Sequence, residues 1–425
     1  MLKTGFAVIG AGYGDEGKGL MTDYLSRKSL IRASGPIVVR VNGGGQAGHT
    51  VVDKVRSAEG ELIKRRHVFS HVGAGTLAGS STFLSSRFIA NPFVLHQELN
   101  QLRALGEGQT SRIEIHPGSQ LTTPFDMALN LLKELSRGDG RHGSCGLGIN
   151  ETVTRQLAGY SLTVGDLTDG NLFLLKDKVH KILKAWVNPR LEEIDLSNVD
   201  PAKVSEVKEL LNPDRAIETL SLASNLFGNI STLPNKNHSL RHSFIFEGAQ
   251  GLELDEFLGT FPYVTRSITG LPSALLAAAE VGVTEVSPVY VTRAYKTRHG
   301  AGPLPHEGGI ITSNELHDNT NVKNPWQGPL RYAPLSINDL SSIISNDLQR
   351  SMELAKLLRI KVNDAVIAVT CLDQVRDDVA FYRGSSRVRA SSDILLRSIN
   401  STSAFRVRYA SYGPAAADVV DLLEA

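Results

Sequence analysis

Apolar residues along this chain gather in short, unbroken, β-branched runs rather than in alternating ones. Phe6–Ile9, Ile37–Val41, His67–Phe69, Ile113–Ile115, Phe244–Phe246, Val289–Thr292 and Val366–Thr370 are the strand candidates. Continuous apolar character is what a strand needs when both faces of its sheet are covered, as in a parallel sheet. Helix-compatible segments lie between them. Phe125–Leu135 carries a broad stripe of Met127, Leu129, Leu131, Leu132 and Leu135, and Asp339 or Ser341 can cap the run that ends at Leu357. The charged, glycine-poor stretch Asp177–Leu222 reads as an appended helical layer with oligomeric contacts. Residues 223–242, 299–309 and 319–334 read as loops, the last two rich in Gly, Pro and Asn. No linker composition divides the chain. The pattern predicts an α/β fold: a single large domain, 1–425, around a mostly parallel central sheet with an inserted helical layer.

One turn in that pattern carries chemistry. The run Phe6–Ile9 ends in a loop holding Gly10, Gly12, Gly14, Gly17 and Gly19, and a helical segment follows at Leu20–Leu25. A strand, a glycine loop and a helix offer backbone N–H groups to a phosphate at the helix N-terminus. Gly12 to Lys18 fits the spacing GxxxxGK, but Gly19 stands where the usual nucleotide-binding loop has a magnesium-holding Ser or Thr. The alternative is a tight βα turn that simply needs glycines. A second loop of the same kind follows Ile37–Val41: Gly43-Gly44-Gly45-Gln46-Ala47-Gly48-His49-Thr50.

Together the two loops resemble adenylosuccinate synthetase, whose pattern is close to GDEGKGKIVD followed by GGNNAGHTVV. The resemblance continues through Phe246-Glu247-Gly248-Ala249-Gln250-Gly251, Gly259 to Thr265, and Thr297-Arg298-His299-Gly300-Ala301-Gly302-Pro303. It reaches Ser411-Tyr412-Gly413-Pro414 near the C-terminus. The resemblance implies a two-step ligation in purine biosynthesis. A nucleoside triphosphate phosphorylates the 6-oxygen of IMP, and the amine of L-aspartate displaces that phosphate.

On that resemblance Asp15 is the catalytic carboxylate and a magnesium ligand, and taking the purine N1 proton suits a fixed carboxylate. His49 is the catalytic histidine, and a proton-donating imidazole there offsets charge developing on phosphoryl oxygens. Gln250 contacts the base or the nearby phosphate. Gly12, Gly14, Gly17, Lys18 and Gly19 cradle the donor phosphates, with Gly413 beside the donor, and the Gly48 carbonyl is a further Mg2+ ligand. Gln46, Ser144 and Thr265 are the purine-nucleotide phosphate contacts; Cys145 replaces a second hydroxyl beside Ser144. Arg155 stands where the family has an arginine that reaches the neighbouring subunit's nucleotide, which predicts a homodimer. For the carboxylates of aspartate, guanidinium groups are the natural partners. Of the family's arginine-rich loop, Trp326 to Arg331 keeps only Arg331 in register, and Arg298 is the second candidate.

The donor base is read in the family by a TKxD segment, here Thr370-Cys371-Leu372-Asp373. Asp373 can accept from guanine, but the lysine that packs the base is gone, so the donor is GTP or ATP. These departures open an alternative within the family, the viral branch that makes 2-aminoadenylosuccinate from dGMP, L-aspartate and ATP. A remoter alternative is a catalytically silent nucleotide-binding switch.

Composition narrows the rest. At 425 residues and 41% hydrophobic the chain can bury a large core, and a formal net charge of +1 gives no general pull toward nucleic acid or membrane. Lys64-Arg65-Arg66 is the densest basic cluster and reads as a solvated loop. Two cysteines, Cys145 and Cys371, make no disulfide framework or zinc spacing and fit a reducing cytoplasm. No run approaches the roughly 20 apolar residues of a spanning helix.

Overall fold

The computed structural model describes residues 3–29, 35–56, 61–106, 112–138, 144, 146–228, 243–313, 316 and 329–424. Its strands are β1 (Thr4–Gly10), β2 (Ile37–Arg40), β3 (His49–Arg56), β4 (Leu62–Phe69), β5 (Ser81–Leu84), β6 (Ile113–Ile115), β7 (Phe244–Glu247) and β8 (Glu285–Arg293). They continue with β9 (Tyr295–Arg298), β10 (Arg331–Ser336), β11 (Lys361–Val362), β12 (Val366–Thr370), β13 (Val379–Arg383), β14 (Ser386–Ala390), β15 (Arg406–Ser411) and β16 (Val419–Asp421). The central sheet runs β16-β15-β12-β8-β1-β7-β2-β5-β6, with β11 paired to β8 off the main path. Every pairing in it is parallel except β15 with the edge strand β16.

β1 lies in the middle, between β7 and β8. Its unbroken apolar run has a cause on each face. Ala7 and Ile9 join one core with Leu271, Leu275, Leu340 and Ile344, from the helices Leu271–Val281 and Ile337–Leu358. Val8 joins another with Leu20, Met21 and Leu25, from the helix Lys18–Ser29. A third core under β5, β6 and the helical residues 124–228 holds Phe88, Phe125, Trp186 and Phe227. The appended layer expected over Asp177–Leu222 is there, starting earlier at Leu172 and broken at Leu183–Val187 and Glu209–Leu211.

Three local expectations change. His67–Phe69 closes β4, which pairs antiparallel with β3 in a separate hairpin rather than joining the central sheet. The long helix Ile337–Leu358 is capped by Ser336, whose hydroxyl accepts from the Asp339 N–H; neither Asp339 nor Ser341 is the cap. A second sheet, β14-β13-β10-β9, went unread: β14 alternates arginine with apolar residues on a half-exposed face, and the buried part of β13 is only Val379-Ala380-Phe381. The predicted loops 223–242 and 319–334 are also too long: residues 223–228 continue the helix Pro213–Gly228 and 331–334 open β10, while 229–242, Cys145 and Trp326 to Gly328 lie outside the described residues.

Candidate active site

In an open parallel sheet, ligands bind beyond the carboxyl ends of the strands where the winding reverses. The singled-out loops leave from those ends. Asp15 follows β1, Gln46 follows β2, Gln250 follows β7, Asp373 follows β12 and Gly413 follows β15. They line one cleft of about 1270 Å³, together with Gly14, Gly17, Lys18, Gly19, Gly48, His49, Ser144, Thr265 and Arg298.

The phosphate loop is held by its own acid. The Glu16 carboxylate accepts from the Gly12 N–H at 3.0 Å and the Gly14 N–H at 2.7 Å, and pairs with the Lys18 ammonium at 2.7 Å. Both side chains are buried. Lys18 therefore sits at the cleft with its charge already engaged, and Gly12 lies beneath the loop and outside the cleft lining. Asp15 has φ +62° and Gln250 φ +57°, a left-handed region that is costly for residues with a side chain. Asp15 is held there by the Arg293 Nε–H, which donates to its carbonyl at 2.6 Å. The His299 Nε2 stands 3.4 Å from its carboxylate. Gly19 is closely packed: a Cβ there would lie 3.0 Å from the His49 Cβ and 3.0 Å from the Thr50 carbonyl, so helix and second loop would have to move apart by a few tenths of an ångström.

His49 is buried, and its Nδ1 lies 2.6 Å from Glu247 Oε1 at the end of β7. The other Glu247 oxygen accepts from the Ala74 N–H at 3.2 Å and lies 3.8 Å from the Arg40 Nε. Burial pushes the His49 pKa down, against the pull of Glu247. Burial alone would raise Glu247, but His49 and Arg40 together hold it below the usual carboxylate range. A neutral imidazole with its proton on Nδ1 satisfies both, leaving Nε2 as the ring nitrogen available to the cleft. Glu247, His299, Arg293 and Glu16 were not singled out as functional from the sequence. Glu247 had a signal: a lone acid ending the buried run Phe244-Ile245-Phe246 needs a buried partner.

The purine-side residues are also present. Ser144 donates its hydroxyl to Asn130 Oδ1 at 2.7 Å, and Thr265 is held by its N–H to the Leu254 carbonyl. The Oε1 atoms of Gln46 and Gln250 are buried without a hydrogen-bond partner among the described residues, as expected of groups awaiting a ligand. Asp373 faces the cleft, its pKa raised by burial, just after Cys371 at φ +59°.

The three arginines expected to bind ligands all have partners within the chain. Arg155 is fully buried, donating to both oxygens of Asp126 at 2.9 and 3.0 Å and to the carbonyls of Leu121 and Tyr160. Engaged in this way inside the chain, it gives no support for a dimer. Arg331 lies outside the cleft lining and forks onto Glu307 at 2.6 and 2.5 Å, with a third bond to the Gly300 carbonyl. Arg298 lines the cleft, but its nitrogens serve the carbonyls of Ala301, Pro303 and Tyr263 while its guanidinium stacks 4.3 Å from the Tyr13 ring centroid. Both arginines shape the loop 299–303 before any carboxylate arrives.

The fold and site together define an α/β protein with a phosphate loop on the carboxyl edge of a parallel sheet. Comparison with known proteins makes this specific. The sequence profile described as adenylosuccinate synthetase matches residues 7–321. The chain belongs to the adenylosuccinate synthetase family. Adenylosuccinate synthetase of Neisseria meningitidis FAM18 is 33% identical over 304 residues, covering 71% of this chain and 64% of the relative. That of Clostridium botulinum Eklund 17B is 32% identical over 308 residues, covering 71% and 65%. The matched segment thus spans under two thirds of these relatives. The fold resembles the fully ligated adenylosuccinate synthetase of Plasmodium falciparum, at TM-score 0.68, 16% identity and coverage of 98% and 99%. It also resembles the cyanophage S-2L succinoaminodeoxyadenylate synthetase bound to dGMP and dATP, at TM-score 0.58, 15% identity and coverage of 99% and 96%.

Proposed function

We propose that this chain is a carbon–nitrogen ligase that joins L-aspartate to the 6-position of a purine nucleotide, IMP in the first instance, at the expense of a nucleoside triphosphate. The observation that carries the reading is the convergence of Asp15, His49 and Gln250 from three separate strand ends on one cleft, with His49 clamped to Glu247. Asp15 takes the purine N1 proton. The 6-oxygen then attacks the γ-phosphorus and the nucleoside diphosphate departs. The amine of aspartate adds at C6, and phosphate leaves with the oxygen. With Nδ1–H held by Glu247, His49 stabilises the oxygens on which charge develops once Nε2 is also protonated, as an imidazolium donating from Nε2. The amides at the start of the helix Lys18–Ser29 hold the donor phosphates.

Magnesium fits the groups present. Asp15 and the exposed Gly48 both line the cleft, and a carboxylate and a peptide carbonyl are both hard oxygen donors. Among the described residues no three His, Cys, Asp or Glu side chains gather as a metal cage, so phosphate oxygens would supply much of the remaining shell. When bound, the ion neutralises charge on the transferring phosphoryl group.

The purine nucleotide is held by Gln46, Ser144, Thr265 and Gln250. Arg298 sets the loop 299–303 against which aspartate would lie. Asp373 and Gly413 mark the donor base. With no lysine stem at Cys371, GTP and ATP both fit, and the reading with dGMP as acceptor and ATP as donor rests on that substitution together with those at Ser144-Cys145 and Trp326–Arg331. A homodimer remains part of the reading, in a soluble cytoplasmic enzyme; no helix among the described residues is long and apolar enough to cross a membrane. The test is a crossed assay of IMP, GMP and dGMP against GTP and ATP with L-aspartate. Product from IMP supports the main reading, and product from dGMP with ATP alone supports the second. Triphosphate turnover indifferent to both co-substrates overturns both.

A further inference from the structure

The basic cluster Lys64-Arg65-Arg66 does not lie on a solvated loop. It sits on β4, paired with β3 in the register Thr50↔Val68, Val52↔Arg66 and Lys54↔Lys64. Side chains alternate across such a hairpin. Val51, Asp53, His67 and Phe69 face the interior and are buried. Thr50, Val52, Lys64, Arg66 and Val68 face the cleft and line it.

Three ties fix the hairpin in that attitude. Arg65, on the inner face, donates to Asp53 at 2.6 Å, and Asp53 also accepts from Arg27 of the phosphate-loop helix at 3.1 Å. Lys54 donates to Asp418 at 2.7 Å, in the segment that follows Gly413. Val52 bridges Ala415 in parallel register. The hairpin therefore starts over the phosphate loop, at His49 and Thr50, and runs toward the donor-base end of the cleft, at Gly413 and Ala415. Val52 and its partner Arg66 lie about 7 Å beyond Thr50 along the strand, the scale of a phosphate chain leaving the loop for its ribose. Lys64 lies one pleat further. The other three cations tied to this hairpin have carboxylate partners, whereas Lys64 and Arg66 have none among the described residues.

We infer that Lys64 and Arg66 bind the triphosphate chain of the donor nucleotide, Arg66 nearer the middle phosphate and Lys64 nearer the ribose end. This rests on the reading of a triphosphate donor given above. It supplies from β4 the positive charge that Lys18, engaged by Glu16, no longer offers freely. Both side chains are exposed, so replacing them leaves the core intact.

The test is calorimetric binding of the non-hydrolysable β,γ-imido analogues of GTP and ATP to the wild type and to the Lys64→Gln/Arg66→Gln double variant, with IMP and dGMP as monophosphate controls. The double variant should bind the analogues roughly tenfold more weakly, the scale of two exposed charge-assisted contacts. Its affinity should respond less to added salt. Its monophosphate affinities should stay within about twofold. Unchanged analogue affinity would overturn the inference and return the pair to a solvated role. Selective loss of monophosphate binding would overturn it too, by moving both cations to the acceptor. A wild type that binds neither analogue would instead refute the donor reading beneath it.

Discussion

Replacing Glu247 by Gln removes one charge and almost no volume from the buried contact that is proposed to orient His49. The carboxylate serves His49 Nδ1 at 2.6 Å, the Ala74 N–H at 3.2 Å and the Arg40 guanidinium at 3.8 Å, all buried. An amide has one acceptor oxygen, so either His49 or Ala74 must face an N–H. One orphaned buried donor costs about 1–3 kcal/mol. Arg40 loses its counter-charge as well, and breaking a buried pair costs roughly 3–5 kcal/mol. The two overlap, so the variant should lose about 3–5 kcal/mol in denaturant unfolding and still fold. Turnover should fall further than stability suggests, by roughly 10²–10⁴, because the acid that fixes a catalytic imidazole also fixes its tautomer. The pH profile supplies the sign. Burial already lowers the His49 pKa and Glu247 opposes that. Without Glu247 the pKa drops further, and the limb of the rate profile that reports His49 moves to lower pH. Steady-state kinetics from pH 5 to 9 reads both effects. Turnover within about threefold of wild type and an unmoved limb would refute the role given to this pair.

Arg155→Leu should destabilise the protein by about 3–5 kcal/mol by stranding Asp126 in the core, while a folded fraction keeps its nucleotide KM; normal stability with a raised KM would return Arg155 to a binding role. Arg350 bridges Asp255 at 2.8 Å and Asp347 at 2.8 Å, and Asp255 accepts from the backbone of Phe257 and Thr269, fixing the loop that carries Thr265. Burial would raise Asp255, but Arg350 and those N–H groups hold it below the usual range, so its stabilisation is present above the unfolded value of about 3.9 and lost as pH falls through the folded one. Arg350→Met should therefore destabilise strongly at pH 7 and much less near pH 3, as chemical unfolding at both pH values would show; an equal loss at both would refute the pairing. Arg331→Leu should change the aspartate KM by less than about fivefold, because Glu307 already neutralises it; a rise of a hundredfold would restore the carboxylate clamp.

What the sequence revealed and what it hid follow one physical division. β1, β2, β7, β8 and β12 were visible because burial on both faces writes an unbroken apolar run. β14, with Arg387 and Arg389 on an exposed face, carries no such mark, and in β13 the mark is only three residues long. The glycine loops were visible because backbones approach closely there: a Cβ on Gly10 would lie 2.6 Å from the Gln250 carbonyl oxygen. The fates of the arginines were not, since local spacing cannot say which carboxylate or carbonyl a long side chain will find. Arg155 found Asp126 at a separation of 29 residues, and Arg331 found Glu307 at 24. Lys64 to Arg66 reads as one charged block until the pairing with β3 divides it between two faces.

The claim on which the account stands is that the purine oxygen is phosphorylated and then expelled. IMP carrying ¹⁸O at the 6-position, incubated with the enzyme, L-aspartate, Mg2+ and each triphosphate in turn, tests it in one measurement. The account predicts that the label appears in inorganic phosphate, one atom for each nucleotide product formed, and that Asp15→Asn stops both together. Unlabelled phosphate released while the purine keeps its ¹⁸O would contradict it.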